Sequence, residues 1–121
     1  MNCTNELCRG DVKLLKARTS GKWYLRCSKC DAISYVTRYN IFHFEVDDRT
    51  RIELLRQIEI ALTGKIATLQ EQVKAARHNK IRDAEHNKLR YTLADAEMEL
   101  RLTRGDIQHI ERNMRRASND R

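Results

Sequence analysis

Four cysteines, Cys3, Cys8, Cys27 and Cys30, stand near the front of this 121-residue chain, and it has no others. Their spacing, C-x4-C, eighteen residues, then C-x2-C, constrains the fold more than any other feature. A tetrahedral ion needs two short turns that each present two sulfurs, and a chain that leaves the metal and returns to it. Two disulfides or four buried thiols would also accommodate four cysteines. The disulfide reading needs an oxidising compartment, and the opening MNCTNELCRG has no apolar stretch of a secretion signal. The spacing therefore predicts one structural Zn²⁺ held by Cys3, Cys8, Cys27 and Cys30, in a cytoplasmic or nuclear protein.

Between the cysteine pairs the chain reads as a hairpin. VKLLKAR (12–18) and WYLRC (23–27) are β-prone, and TSGK (19–22) between them carries Gly21 for the turn. ISYVTRY (33–39) predicts a third strand, and NIFHFEV (40–46) a fourth short strand or an extended connector. His43 lies in that last run and is expected to face solvent or a hydrogen-bond partner, because four thiolates already complete a site. With only two Phe and one Trp in the whole chain, so small a sheet needs metal bonds in place of a core.

Residues 3 to 39 resemble a zinc ribbon: CTNELCRG as the first knuckle, then the hairpin, then CSKC as the second. The first knuckle departs from the common pattern, with four intervening residues rather than two and no proline. The resemblance implies a structural zinc and a module that recurs in transcription, translation and nucleic-acid processing, as well as in simple structural staples.

From Val12 to Cys30 there is no acidic residue, while Lys13, Lys16, Arg18, Lys22, Arg26 and Lys29 are basic. Trp23 and Tyr24 sit among them. Basic side chains beside an aromatic platform are how small β-modules hold phosphates and stack bases. Alternation puts Trp23 and Leu25 on one face, opposite Tyr24 and Arg26. Trp23 is therefore expected in the core and Tyr24 outside it. The net charge of +7 favours a polyanionic partner, although solubility alone accounts for a modest excess.

From residue 47 the pattern changes. Thr50 and Glu53 match a capping box. Beyond them Ile52, Leu55, Leu62, Ile66, Leu69, Val73 and Ala76 form a heptad seam with Glu59 as its one polar member. A second seam runs through Leu89, Leu93, Ala96, Leu100, Thr103, Ile107, Ile110, Met114 and Ala117. The two registers do not join, and the break lies within 77–88. Folding the chain back there sets Leu69 against Leu93, Val73 against Leu89, and polar Glu59 against polar Thr103. A single long helix paired with a second copy is the rival arrangement.

The expected fold class is thus α+β: a zinc-ribbon sheet with a connecting strand over 1–46, then a coiled-coil helical hairpin over 47–121. Its helices are expected at about 50–78 and 84–117, with a turn at 79–83. No Ser/His/Asp set or Gly-rich phosphate loop is present, and four thiolates leave zinc no open position, so the chain is expected not to be an enzyme. The favoured role is a small regulator binding nucleic acid or RNA polymerase-like machinery through Lys13, Lys16, Arg18, Lys22, Tyr24 and Arg26. Lys80 and Arg82 at the helical tip form a second candidate surface. In outline the arm-plus-zinc arrangement is similar to the secondary-channel regulators of bacterial RNA polymerase, with Asp83 and Glu85 the residues that could be matched. The alternative is a protein–protein adaptor or inhibitor, phage or mobile-element encoded, acting through the coiled coil. A homodimer is compatible with either, and no apolar run is long enough for a membrane span.

Overall fold

A computed structural model describes residues 3, 8, 10–78 and 83–119. It is an α+β protein: a three-stranded antiparallel sheet followed by two long helices. The strands are β1 (Val12–Lys16), β2 (Trp23–Cys27) and β3 (Ile33–Ser34), and the helices are α1 (Asp48–His78) and α2 (Asp83–Asn119). The chain resolves into two compact units, Met1–Ile58 and Glu59–Arg121, so the division falls within α1. Among the described residues no helix is long and apolar enough to cross a membrane.

In the first unit the sheet order is β1-β2-β3. The hairpin closes where Ala17 donates its N–H to the Lys22 carbonyl at 2.9 Å, and Gly21, at φ 69°, donates back to Ala17 at 2.9 Å. That left-handed φ is the conformation glycine adopts without a Cβ penalty. The register pairs Val12 with Cys27, Lys13 with Arg26, Leu14 with Leu25, Leu15 with Tyr24 and Lys16 with Trp23. Val12, Leu25 and Cys27 therefore share the buried face.

The segment after β2 differs from the expected third and fourth strands. β3 is only two residues long, and 41–43 form a 3-10 turn. Asn40 is the physical reason. Its side-chain oxygen accepts from the Thr37 N–H at 2.8 Å, and its side-chain nitrogen donates to the Tyr35 carbonyl at 3.1 Å. Both backbone groups are thereby taken by a local side chain instead of a neighbouring strand. Asn40 itself is buried, as are Val36 and Ile41 on either side of it. His43 ends the 3-10 turn, exposed and edge-on to Tyr39, with ring centroids 6.0 Å apart.

Helix α1 starts earlier than the capping box at Thr50 implies. Asp47 is the cap: its carboxylate accepts from the Thr50 N–H at 2.9 Å and its carbonyl from the Arg51 N–H at 3.0 Å. Both bonds satisfy donors that a helix start leaves orphaned. Glu53 is thereby released from capping and turns to the sheet. Leu54, Leu55 and Ile58 are buried, although only Leu55 lies in the predicted seam. Full burial of one such side chain is worth about 1.5–3 kcal/mol, so this first part of α1 belongs to the core of the first unit.

The second unit is the helix pair. Ile66 and Leu69 of α1 form a buried cluster with Ala96 of α2, against which Leu89, Leu93 and Leu100 pack. Arg104 Nε donates to Glu59 Oε2 at 3.2 Å, one residue from the expected Glu59–Thr103 layer. These contacts give an antiparallel hairpin, since residues advance along α1 as they retreat along α2. Thr103 is fully buried in the seam and satisfies its hydroxyl by donating to the Glu99 carbonyl at 2.7 Å. Gly64 does not interrupt α1. The turn expected at 79–83, with Lys80 and Arg82, lies outside the described residues except for the start of α2 at Asp83.

Candidate metal centre and basic sheet face

The four cysteines converge. Their sulfurs all lie within 4.8 Å of one another, with Cys3 Sγ 3.6 Å from Cys30 Sγ and Cys8 Sγ 3.7 Å from Cys27 Sγ. A disulfide would need about 2.05 Å. Four sulfurs each about 2.3 Å from a central Zn²⁺ would stand about 3.8 Å apart along every tetrahedral edge. The observed separations fit an ion and exclude a disulfide in either close pair.

Local backbone explains why the cluster forms. Cys27 ends β2 on its buried face and is 1% exposed, whereas Cys30 is exposed beyond the turn. The knuckle closes where Asp31 N–H donates to the Cys27 carbonyl at 3.1 Å and Cys27 N–H to the Ala32 carbonyl at 3.0 Å. Asp31 adopts φ 60° to make this return, which Asp tolerates better than most side chains. The Lys29 N–H points at the Cys27 sulfur at 3.4 Å. On the other side, Cys3 N–H donates to the Gly10 carbonyl at 3.0 Å, and the Ser28 backbone N–H to the Asp11 carbonyl at 2.9 Å. The two knuckles are thus joined by backbone as well as by sulfur.

The thiols are not equivalent. Backbone N–H groups of Cys30 and Lys29 bring the Cys27 pKa down to about 6. At Cys8 a hydrogen bond from the Gly10 backbone lowers the pKa, but burial and the Cys30 and Cys27 thiols outweigh it and leave it raised. One thiolate forms readily in the cluster itself. A bound cation would supply the charge that deprotonates the others.

The hairpin sorts the expected basic residues between its two faces. Directly paired residues share a face, so Lys13, Leu15, Tyr24 and Arg26 lie together on the outer side. Arg26 carries an ion pair with Asp31 at 3.0 Å. Lys16 lies on the opposite side with Trp23, its Nζ 5.5 Å from the indole centroid and ion-paired to Glu53. Arg18 and Lys22 are exposed at the hairpin turn. Lys13, Tyr24 and Arg26 are thereby brought together, whereas Lys16 is turned away from them and engaged by α1. Tyr24 is half-buried, and so is Trp23, which was expected in the core.

Two residues that the sequence pattern did not single out for this role, Glu53 and Gln57, anchor α1 to the hairpin, and a third, Arg51, holds the segment before the helix. The Trp23 indole N–H donates to Glu53 at 3.1 Å. The Trp23 backbone N–H donates to Gln57 Oε1 at 2.7 Å, and Gln57 Nε2 donates to the Trp23 carbonyl at 2.8 Å. Gln57 thus imitates a neighbouring strand at the start of β2. Arg51 caps the Phe42 ring at 5.7 Å and donates to the Phe44 carbonyl at 3.3 Å. No local signal marks the roles of Glu53 and Gln57, because their partners lie thirty or more residues away in sequence.

Glu53 gives this anchor a pH dependence. The Lys16 ammonium, and then the Trp23 N–H, hold its carboxyl below the usual glutamate value. A depressed folded-state pKa contributes stability that is present above the unfolded value, near 4.3, and is lost as pH falls through the folded one. The fluorescence of Trp23, the single tryptophan, should therefore titrate with a midpoint below that of a free glutamate. In Glu53→Gln this step should be missing; an acid transition identical in the two proteins would contradict the assignment.

No protein-family model matches the chain, and no curated protein or solved structure is significantly similar to it.

Proposed function

We propose that the protein is a non-catalytic regulator that binds nucleic acid, alone or within transcription machinery, through a sheet stapled by one structural Zn²⁺. The observation that carries this reading is the pairing of Lys13 directly opposite Arg26 on the outer face of the hairpin. Like charges in that relation destabilise a sheet, and Asp31 offsets only part of the repulsion. A phosphate between them would offset the rest. Four thiolates fill a tetrahedral ion and leave no position for a reacting water, which supports the non-catalytic part. Thiolate ligation also suits a reducing compartment such as the cytoplasm.

The adaptor reading has one observation in its favour. Tyr91, Met98 and Leu102 are 73%, 52% and 39% exposed on α2. Spacings of seven and four place them on one stripe, turned away from the seam. A protein partner covering that stripe would bind with little dependence on salt.

The salt response separates the two. The zinc-loaded chain should bind mixed-sequence nucleic acid with an affinity that falls steeply as salt rises, by a log–log slope of about −0.7 to −0.9 for each phosphate neutralised. Absence of nucleic-acid binding at low salt, together with salt-insensitive capture of a protein partner, would replace this function with the adaptor.

A further inference from the structure

The outer face of the sheet is not an ordinary solvated face. An antiparallel sheet with one wet side alternates apolar-in with polar-out, and here the outward positions break that rule. Beside Arg26 the register places Ile33 of β3, which is 70% exposed. Leu15 and Tyr24 pair on the same side, half-buried. Past β3 the alternation continues: Ser34 is half-buried, Tyr35 is 89% exposed and Val36 is buried. Tyr35 therefore points outward with Ile33, and its backbone is held by Asn40. The face combines a row of two cations and an isoleucine with neighbouring aromatic and aliphatic positions. Neighbours within a row lie about 4.8 Å apart across the strands, and successive rows about 7 Å apart along them. Those spacings suit an extended polynucleotide, with a phosphate on the cations and bases lying flat on the rings.

A duplex would engage this face poorly. Its phosphates could reach Lys13 and Arg26, but its bases are stacked on one another and cannot lie on Tyr24 or Tyr35. Rings on the outer side of the sheet and just past its last strand match unpaired bases, because every base has a π-face and stacking needs no sequence. Resting on the nucleic-acid reading above, we infer that the ligand is a single strand, held by Lys13 and Arg26 at its backbone and stacked on Tyr24 and Tyr35, with Ile33 beside Arg26. Both rings act through their faces, so no base-specific hydrogen bond is required and sequence preference is weak.

The test uses the full zinc-loaded chain and fluorescence anisotropy with labelled oligothymidylate, the corresponding oligouridylate, and a DNA duplex, compared at one salt concentration and then titrated with salt. Single strands are expected to bind about tenfold or more tighter than duplex; the comparison of the two single strands tells DNA from RNA. Tyr35→Ala should weaken single-strand binding about tenfold with the salt slope unchanged, and Tyr35→Phe should restore it, because stacking needs the ring and not the hydroxyl. Lys13→Gln should instead reduce the slope by about one phosphate. Tyr35 is exposed, so its variants should keep their metal and fold; zinc content verifies this. Equal or tighter binding to duplex, or Tyr35→Ala with full affinity, overturns the single-strand assignment and leaves nucleic-acid binding standing. Failure to bind any of the three ligands at low salt overturns both.

Discussion

Cys27→Ser, or removal of the metal by a chelator, is expected to unfold the sheet while leaving the helix pair of the second unit intact. The first unit buries few large side chains: Val12, Leu25, Val36, Ile41, Leu54, Leu55 and Ile58. Its strands have five, five and two residues. Sheets of this size are marginal in water without further support. A structural zinc contributes on the order of 10–16 kcal/mol in small domains, comparable to the whole net stability of a typical protein, about 5–15 kcal/mol. Losing it should expose Trp23, release Glu53 and Gln57, and fray α1 back towards Ile58. The Ile66–Leu69–Ala96 cluster makes no use of the metal, so most helical circular dichroism should survive. The measurements are zinc stoichiometry, Trp23 emission and helical signal before and after chelation. Less than about half an equivalent of zinc, or Trp23 emission indifferent to chelation, would sink the structural role of the site.

The second large effect is expected at a residue that ligates nothing. Gly10 is buried between the knuckles, and a Cβ placed on it would lie 2.6 Å from Cys27 Sγ and 2.6 Å from Lys29 Cβ. Neither neighbour can retreat: the sulfur is held by the cluster, and Lys29 Cβ belongs to the tight turn whose N–H points at that sulfur. Gly10→Ala must therefore displace its own backbone. That backbone carries the carbonyl accepting from Cys3 N–H, so a ligand would move with it. Loss of groups that orient metal ligands commonly costs about 10–100-fold in affinity, and Gly10→Ala should fall in or beyond that range by competition with a chromophoric chelator. Gly21→Ala is the control. It strains a left-handed turn at φ 69° with no contact to the metal, and zinc affinity should stay near that of the parent. Equal affinities for the Gly10 variant and the parent would show that the knuckle has slack the geometry does not suggest.

How far the chain was legible depends on the range of the interaction involved. The α+β class, the hairpin around Gly21 and the helix seams follow from local periodicity, which a strand or helix expresses wherever it sits. The cysteine cluster follows from spacing, because two short turns joined by a hairpin return to one point. The capping box at Thr50 and Glu53 was also a local rule, yet it lost. Asp47, three residues earlier, caps the same helix with a carboxylate, and Glu53 instead finds a cation and an indole thirty or more residues away. Asn40 ended the third strand through side-chain bonds that strand propensity does not count. The basic run from Lys13 to Lys29 was visible as composition alone. Only the pairing register separated Lys13 and Arg26 from Lys16, since a one-residue step along a strand changes its face. Sequence by itself determined the hairpin, the two helices with their seam, and the convergence of the four cysteines. Tertiary structure decided which cations face outward, which end of α1 packs into the first unit, and that Ile33 and Tyr35 join the outer face, because each of those outcomes depends on residues that meet only after the chain has folded.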